Sequence, residues 1–166
     1  MARKCFYSFY YNPDSWRVSK VRKIGALEGN QTVSDNDWEK ITDGGDPAIK
    51  KWIADQMYGR SCTIVLIGSA TAGRKWINYE INKTWDDKKG LLGIHIHNIT
   101  DADGNNCVKG RNPFDDVKLD GKMGSSIVKV YDPPYTNSGD VYNHIADNIE
   151  DWVDEAIEIR NKRLAA

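Results

Sequence analysis

"CTIVLIGSATAGRKWINYEINKTW", Cys62 to Trp85, decides the fold. Its first seven residues, Cys62–Gly68, form a continuous apolar run rich in β-branched side chains. A strand buried on both faces of a parallel sheet reads this way, because helices cover it above and below. "GSATAGRK" then breaks the run, and a helix follows. At about 100° per residue, Trp76, Ile77, Glu80, Ile81 and Thr84 share one arc of that helix. A carboxylate therefore stands in the stripe that should face the core. Burying it without a partner costs several kcal/mol, roughly, or neutralises it. Two readings follow. Either Glu80 lies at the edge of the stripe, paired with Arg74 or Lys75, or it faces a pocket and is held there for chemistry.

Working outward, "KCFYSFY" (Lys4–Tyr10) predicts an aromatic-rich first strand, and "NPDSW" a turn with Asp14 or Ser15 capping the next helix. Trp16, Val21, Ile24 and Leu27 would anchor that helix. "GNQTVSDNDW" is polar and turn-rich, with at most a short strand near Gln31–Ser34. In "DPAIKKWIADQM", Asp46 would cap a helix with Pro47 at its first position, and Ile49, Trp52, Ile53 and Met57 keep helical spacing. "GLLGIHIH" (Gly90–His97) predicts a second buried strand and "SSIVKVYD" a last one. The chain closes on an amphipathic helix through Val141, Ile145, Ile149, Trp152, Ala156 and Ile157. Residues 98–126 have no clear period and are expected to be a functional insertion or partly disordered.

Strands alternating with helices imply an α/β, flavodoxin-like, doubly wound and mainly parallel sheet of about five strands, with helices on both faces. At 166 residues the chain is expected to be a single domain, residues 1–166. Ligands of such sheets bind beyond the carboxyl ends of the strands. The net charge of −1 supplies no global field for nucleic acid or an anionic membrane. No apolar run approaches the roughly 20 residues of a bilayer span. "MARKCFYSFYYNPD" lacks the features of a signal peptide. Cys5, Cys62 and Cys107 are odd in number and lack CxxC spacing, which fits a reduced, cytoplasmic setting.

Several motifs are weaker. "GSATAGRK" nearly matches a phosphate-binding loop, but Lys75 is displaced by one and Trp76 stands where a hydroxyl would hold magnesium. A magnesium-dependent NTPase is therefore rejected. Phosphate binding at a helix N-terminus through Ser69 and Thr71, or an ordinary cap, both stay open. His95 and His97 lie two apart on a strand and share a face. No metal set accompanies them, so no metal is expected and a structural or pocket-lining role is. Tyr10, Tyr11, Trp38 and Trp76 are aromatics that pack in a core or, near a nucleotide, stack on a base.

"YSFYYN", "VLIGSATAGRKWINYEI", "LLGIHIHNI" and "GRNPFD" together resemble the TIR-like proteins of the bacterial Thoeris antiphage system, over about residues 3–116. That resemblance implies a TIR fold and an NAD+ glycohydrolase or ADP-ribosyl cyclase. Such an enzyme releases nicotinamide and makes a cyclic or modified ADP-ribose signal that activates a separate effector protein. It implies Glu80 as the catalytic residue and Ser8, Phe9, Tyr10, Ser69 and Trp76 as substrate-binding residues. It also implies NAD as a substrate with no cofactor, self-assembly, and an unknown phage trigger. No animal-type loop motif lies between the first and second helices. Two other readings stay open at this point: a non-catalytic TIR-like assembly module, and a nucleoside N-glycosidase or deoxyribosyltransferase using a carboxylate nucleophile.

Overall fold

The computed structural model describes residues 3–30 and 35–166, without the side chains of residues 35–37. Its strands and helices follow in the order β1 (Arg3–Ser8), α1 (Tyr11–Arg22), β2 (Leu27–Gly29), α2 (Asp35–Asp43), α3 (Gly45–Met57), β3 (Cys62–Ile67), α4 (Lys75–Asp86), β4 (Gly90–His95), β5 (Lys118–Leu119), β6 (Lys122–Met123), β7 (Val130–Tyr131) and α5 (Ser138–Ala165). Five strands form one sheet in the order β2-β1-β3-β4-β7. All its neighbours are parallel. This is the flavodoxin-like order, with β1 and β3 side by side where the winding reverses.

Strand alternation sorts the side chains onto two layers. Ile64, Leu66, Leu92 and Ile94 face α1 and α5, against Val18, Val21, Val141, Ile145, Ile149 and Val153. Val65, Ile67 and Leu91 face the other way, against Ile77, Ile81 and Trp85 of α4. Phe6 packs with Ile49, Ile53 and Met57 of α3 on that same side. Every residue of β3 and β4 is buried, as expected of strands covered on both faces.

Local details correct several expectations. The second strand is Leu27–Gly29, so Leu27 pairs with Arg3 while its side chain joins the buried cluster of Val18, Val21 and Ile24, and Trp16, expected as an anchor of the first helix, is exposed. Gln31–Ser34 lies outside the described residues. Helix α1 starts at Tyr11 without a side-chain cap, and Asp14 is instead fully buried beside Arg17. Helix α3 starts at Gly45, which puts Asp46 and Pro47 inside its first turn. Of "SSIVKVYD" only Val130 and Tyr131 pair, with Gly93 and Ile94. Gly124–Ser126 winds into a 3-10 turn, and Pro133–Pro134, which lack N–H donors, follow Asp132.

Residues 98–126 are built into the molecule. Arg17, itself buried, donates from Nε to the Ile99 carbonyl at 2.7 Å and from Nη2 to that of Asn105 at 2.9 Å. The Cys107 amide donates to the His97 carbonyl at 2.9 Å. Asn112 accepts from the Phe114 amide at 2.9 Å, and Phe114 is fully buried in the α4 core. A two-stranded antiparallel hairpin of β5 and β6 follows. Among the described residues, no helix is long and apolar enough to cross a membrane.

Candidate functional site

A cavity of about 970 Å³ wraps around the carboxyl end of β1 and reaches the start of α4. Its position follows from the winding. β1 and β3 are adjacent, their helices leave on opposite faces, and a crevice opens between the connections. Phe6, Trp38, Trp52, Trp76 and Glu80 line it on the α3–α4 side. Tyr7, Val18, Arg22 and Lys23 line it on the α1 side.

Glu80 is 7% exposed. Helix α4 holds it there by sinking Ile77 and Ile81, its neighbours on the wheel, into the core. One turn later, buried Thr84 sets its hydroxyl 2.7 Å from the Glu80 carbonyl and 2.7 Å from the Thr63 hydroxyl, tying α4 to β3. The Ser8 hydroxyl donates to Glu80 Oε1 at 2.8 Å, and Ser8 is 1% exposed. The edge salt bridge is not formed. Lys75 pairs with Asp46. Arg74 lies 3.7 Å above the Tyr10 ring and donates to the Ala70 carbonyl. Burial pushes the Glu80 carboxyl up to about 8, against the pull of the Ser8 hydrogen bond. At neutral pH the group is thus mainly protonated, and a cation brought beside it draws it back to the carboxylate.

Of the residues singled out from the sequence, Phe9, Tyr10, Trp76 and Glu80 come together on the cavity wall. Ser8 stands behind Glu80, as its hydrogen-bond donor. Ser69 is exposed and outside the lining. Neighbouring Thr71 is buried and accepts from the Gly68 amide at 2.8 Å, closing the turn before α4. Phe6, Trp52, Arg22 and Arg74 also line the cavity and escaped the sequence reading. Phe6 had a usable signal, since it precedes Ser8 by two and must share its face. Trp52 had none: its helical spacing reads as core. His95 and His97 are buried, their rings edge-on at 5.7 Å. Burial pushes His95 down to about 4 and lowers His97, so both are neutral imidazoles at pH 7. Among the described residues no group of three or more His, Cys, Asp or Glu is placed to hold a metal.

Residues 6–101 match the family model described as Thoeris protein ThsB, TIR-like domain. A protein of Bacillus cereus (strain MSX-D12), ThsB1, provisionally named a cyclic ADP-D-ribose synthase, is 38% identical over 120 residues. That similarity covers 69% of this chain and 62% of the relative, so the chain spans less than two thirds of the relative's length. Ser8, Trp76 and Glu80 all fall within the family match, on the strand and helix that build the cavity. By that match and by its sheet order, this chain belongs to the Thoeris ThsB family of TIR-like domains.

Proposed function

We propose that the protein cleaves the bond between nicotinamide and ribose in NAD and passes the ADP-ribosyl group to an internal acceptor, making a cyclic or modified ADP-ribose. Glu80 at the cavity wall carries this reading. Ordinary glycoside hydrolysis needs two carboxyl groups, one of them to protonate the leaving group. NAD does not, because nicotinamide departs from a cationic pyridinium. The C1′–N bond electrons stay on the ring nitrogen and the base leaves neutral. One carboxylate then suffices to hold the ribose hydroxyls and stabilise the oxocarbenium-like centre. The aromatic walls, including Trp76, exclude water while the acceptor arrives. The acceptor oxygen or nitrogen attacks C1′ and releases its proton.

The name of the Bacillus cereus relative supports the cyclic outcome. In this reading the product is a diffusible signal for a separate antiphage effector, made in the cytoplasm, and Ser69 takes no part. Incubating the full chain with NAD, alone and with lysate of phage-infected cells, and weighing the products tests it. Nicotinamide is expected, together with a species lighter than ADP-ribose by one water. ADP-ribose alone would replace cyclisation by hydrolysis, and unconsumed NAD under both conditions would overturn the reading.

A further inference from the structure

Charge and aromatic faces are unevenly distributed in the cavity. Phe6 and Ser8 point to one side of the sheet and Tyr7 to the other, so β1 divides the cavity into two lobes. Four cationic side chains line it, Arg22, Lys23, Arg74 and Lys75, and Glu80 is the acidic one among the described residues. Three of those cations already lie over rings. Arg22 is 5.4 Å above Tyr7, Arg74 is 3.7 Å above Tyr10, and Lys75 is 4.9 Å above Trp76. Among the described residues, no cation lies over Trp38 or Trp52. These two meet edge to face, with centroids 5.5 Å apart at 73°, and Trp52 also meets the Phe6 ring at 6.4 Å. They form an aromatic corner. Phe6 and Ser8 are one pleat repeat, about 7 Å, apart along the strand. The corner is therefore a neighbour of the Ser8–Glu80 pair.

From this we infer that the Trp38–Trp52 corner is the subsite for the cationic pyridinium ring of the substrate, a specificity element beyond Glu80. A cation is drawn to an indole face through the ring quadrupole, most where water is excluded. It is repelled by rings that already carry a lysine or arginine. The Glu80 lobe combines the uncapped indoles with the acid, and the two cations at the start of α4, Arg74 and Lys75, are already held over Tyr10 and Trp76. The basic lobe, with Arg22 and Lys23, suits the anionic diphosphate. The corner also discriminates by charge state. Once the C1′–N bond breaks, the ring is neutral, its attraction to the indoles drops, and nicotinamide leaves. This inference rests on NAD being the substrate.

The test uses the full chain and two probes that differ mainly in charge, 1-methylnicotinamide and nicotinamide, titrated calorimetrically at pH 8.5. Wild type is expected to bind the cation about tenfold more tightly. Trp52→Phe should shrink that preference to about threefold, because a phenyl ring is a weaker cation acceptor. Trp52→Ala and Trp38→Ala should lower it below about threefold, leaving what the Glu80 carboxylate attracts, and Trp76→Ala should lower it less than either. Trp52→Phe keeps the test open if the alanine variant fails to fold. A preference unchanged in the Trp38 and Trp52 variants, lost only in Trp76→Ala, or missing from wild type would overturn the inference. NAD turnover by the same wild-type preparation, alone and with lysate of phage-infected cells, reports separately on the proposed reaction. Turnover without cation preference removes the subsite alone. Cation preference without turnover in either condition leaves a pyridinium-binding subsite and removes the reaction.

Discussion

Glu80 is held where its ionised form is disfavoured, and that placement has a cost that can be measured. Its carboxyl lies at about 8 in the folded protein against an ordinary 4.5, with burial the main cause. Between those values the folded state keeps a proton that the unfolded state has lost. Stability therefore falls as pH rises from about 4.5 to about 8, and is flat outside that window. Glu80→Gln removes the titration. By denaturant unfolding it should match wild type near pH 4 and be more stable at pH 8.5, by up to about 4 kcal/mol. A difference independent of pH would contradict the burial account. Ser8→Ala removes the hydrogen bond that favours the carboxylate. The acid limb of the kcat/KM profile should then move to higher pH, lowering kcat/KM at pH 7 about tenfold and far less above pH 9. That Glu80 sits among apolar neighbours was legible from helical spacing. That Ser8, 72 residues away, is its donor was not, because only the β1–β3 pairing brings them together.

At the scale of elements, α4 and β3 were readable because their periods are unambiguous, an apolar run and then a stripe at helical spacing. The boundaries were less so. β2 is three residues long, too short for a period, and the start of α1 carries no side-chain cap to mark it. The connections around the cavity depend on close backbone approach that spacing does not reveal. A Cβ on Gly110 would stand 2.1 Å from the Gly68 carbonyl oxygen, and one on Gly68 would stand 2.2 Å from the Asp14 carboxylate. The insertion, the end of β3 and α1 are thus packed to contact at one point. Gly110→Ala should destabilise by about 1–3 kcal/mol, since neither backbone can yield without moving an element. Gly25→Ala, where nothing lies within 4 Å of the new Cβ, should stay within about 0.5 kcal/mol. Thermal melts of the two variants side by side check this, and equal melting temperatures would contradict it.

For the whole molecule, Arg17 is the tie between α1 and residues 98–126. It is buried, 3.5 Å from the Asp14 carboxylate, and bonded to two carbonyls of that segment. Arg17→Met leaves a buried carboxylate without its cation and should cost about 3–5 kcal/mol. Denaturant unfolding measures it, and a loss below about 1 kcal/mol would mean the tie is dispensable. Neither the tie nor the ordering of the segment was visible in the sequence, where residues 98–126 show no clear period and their few apolar residues are scattered among Asp, Asn, Gly and Lys. The parallel sheet and its carboxyl-end crevice were visible, because alternating strands and helices leave few other solutions. Those features all position one carboxyl group beside one cavity. The most direct measurement is therefore nicotinamide release from NAD by wild type and by Glu80→Gln, in buffer and in lysate of phage-infected cells. Wild type should release nicotinamide in at least one condition, and release should fall by about a thousandfold or more in a folded Glu80→Gln protein. Release undiminished by that substitution would contradict the role of Glu80.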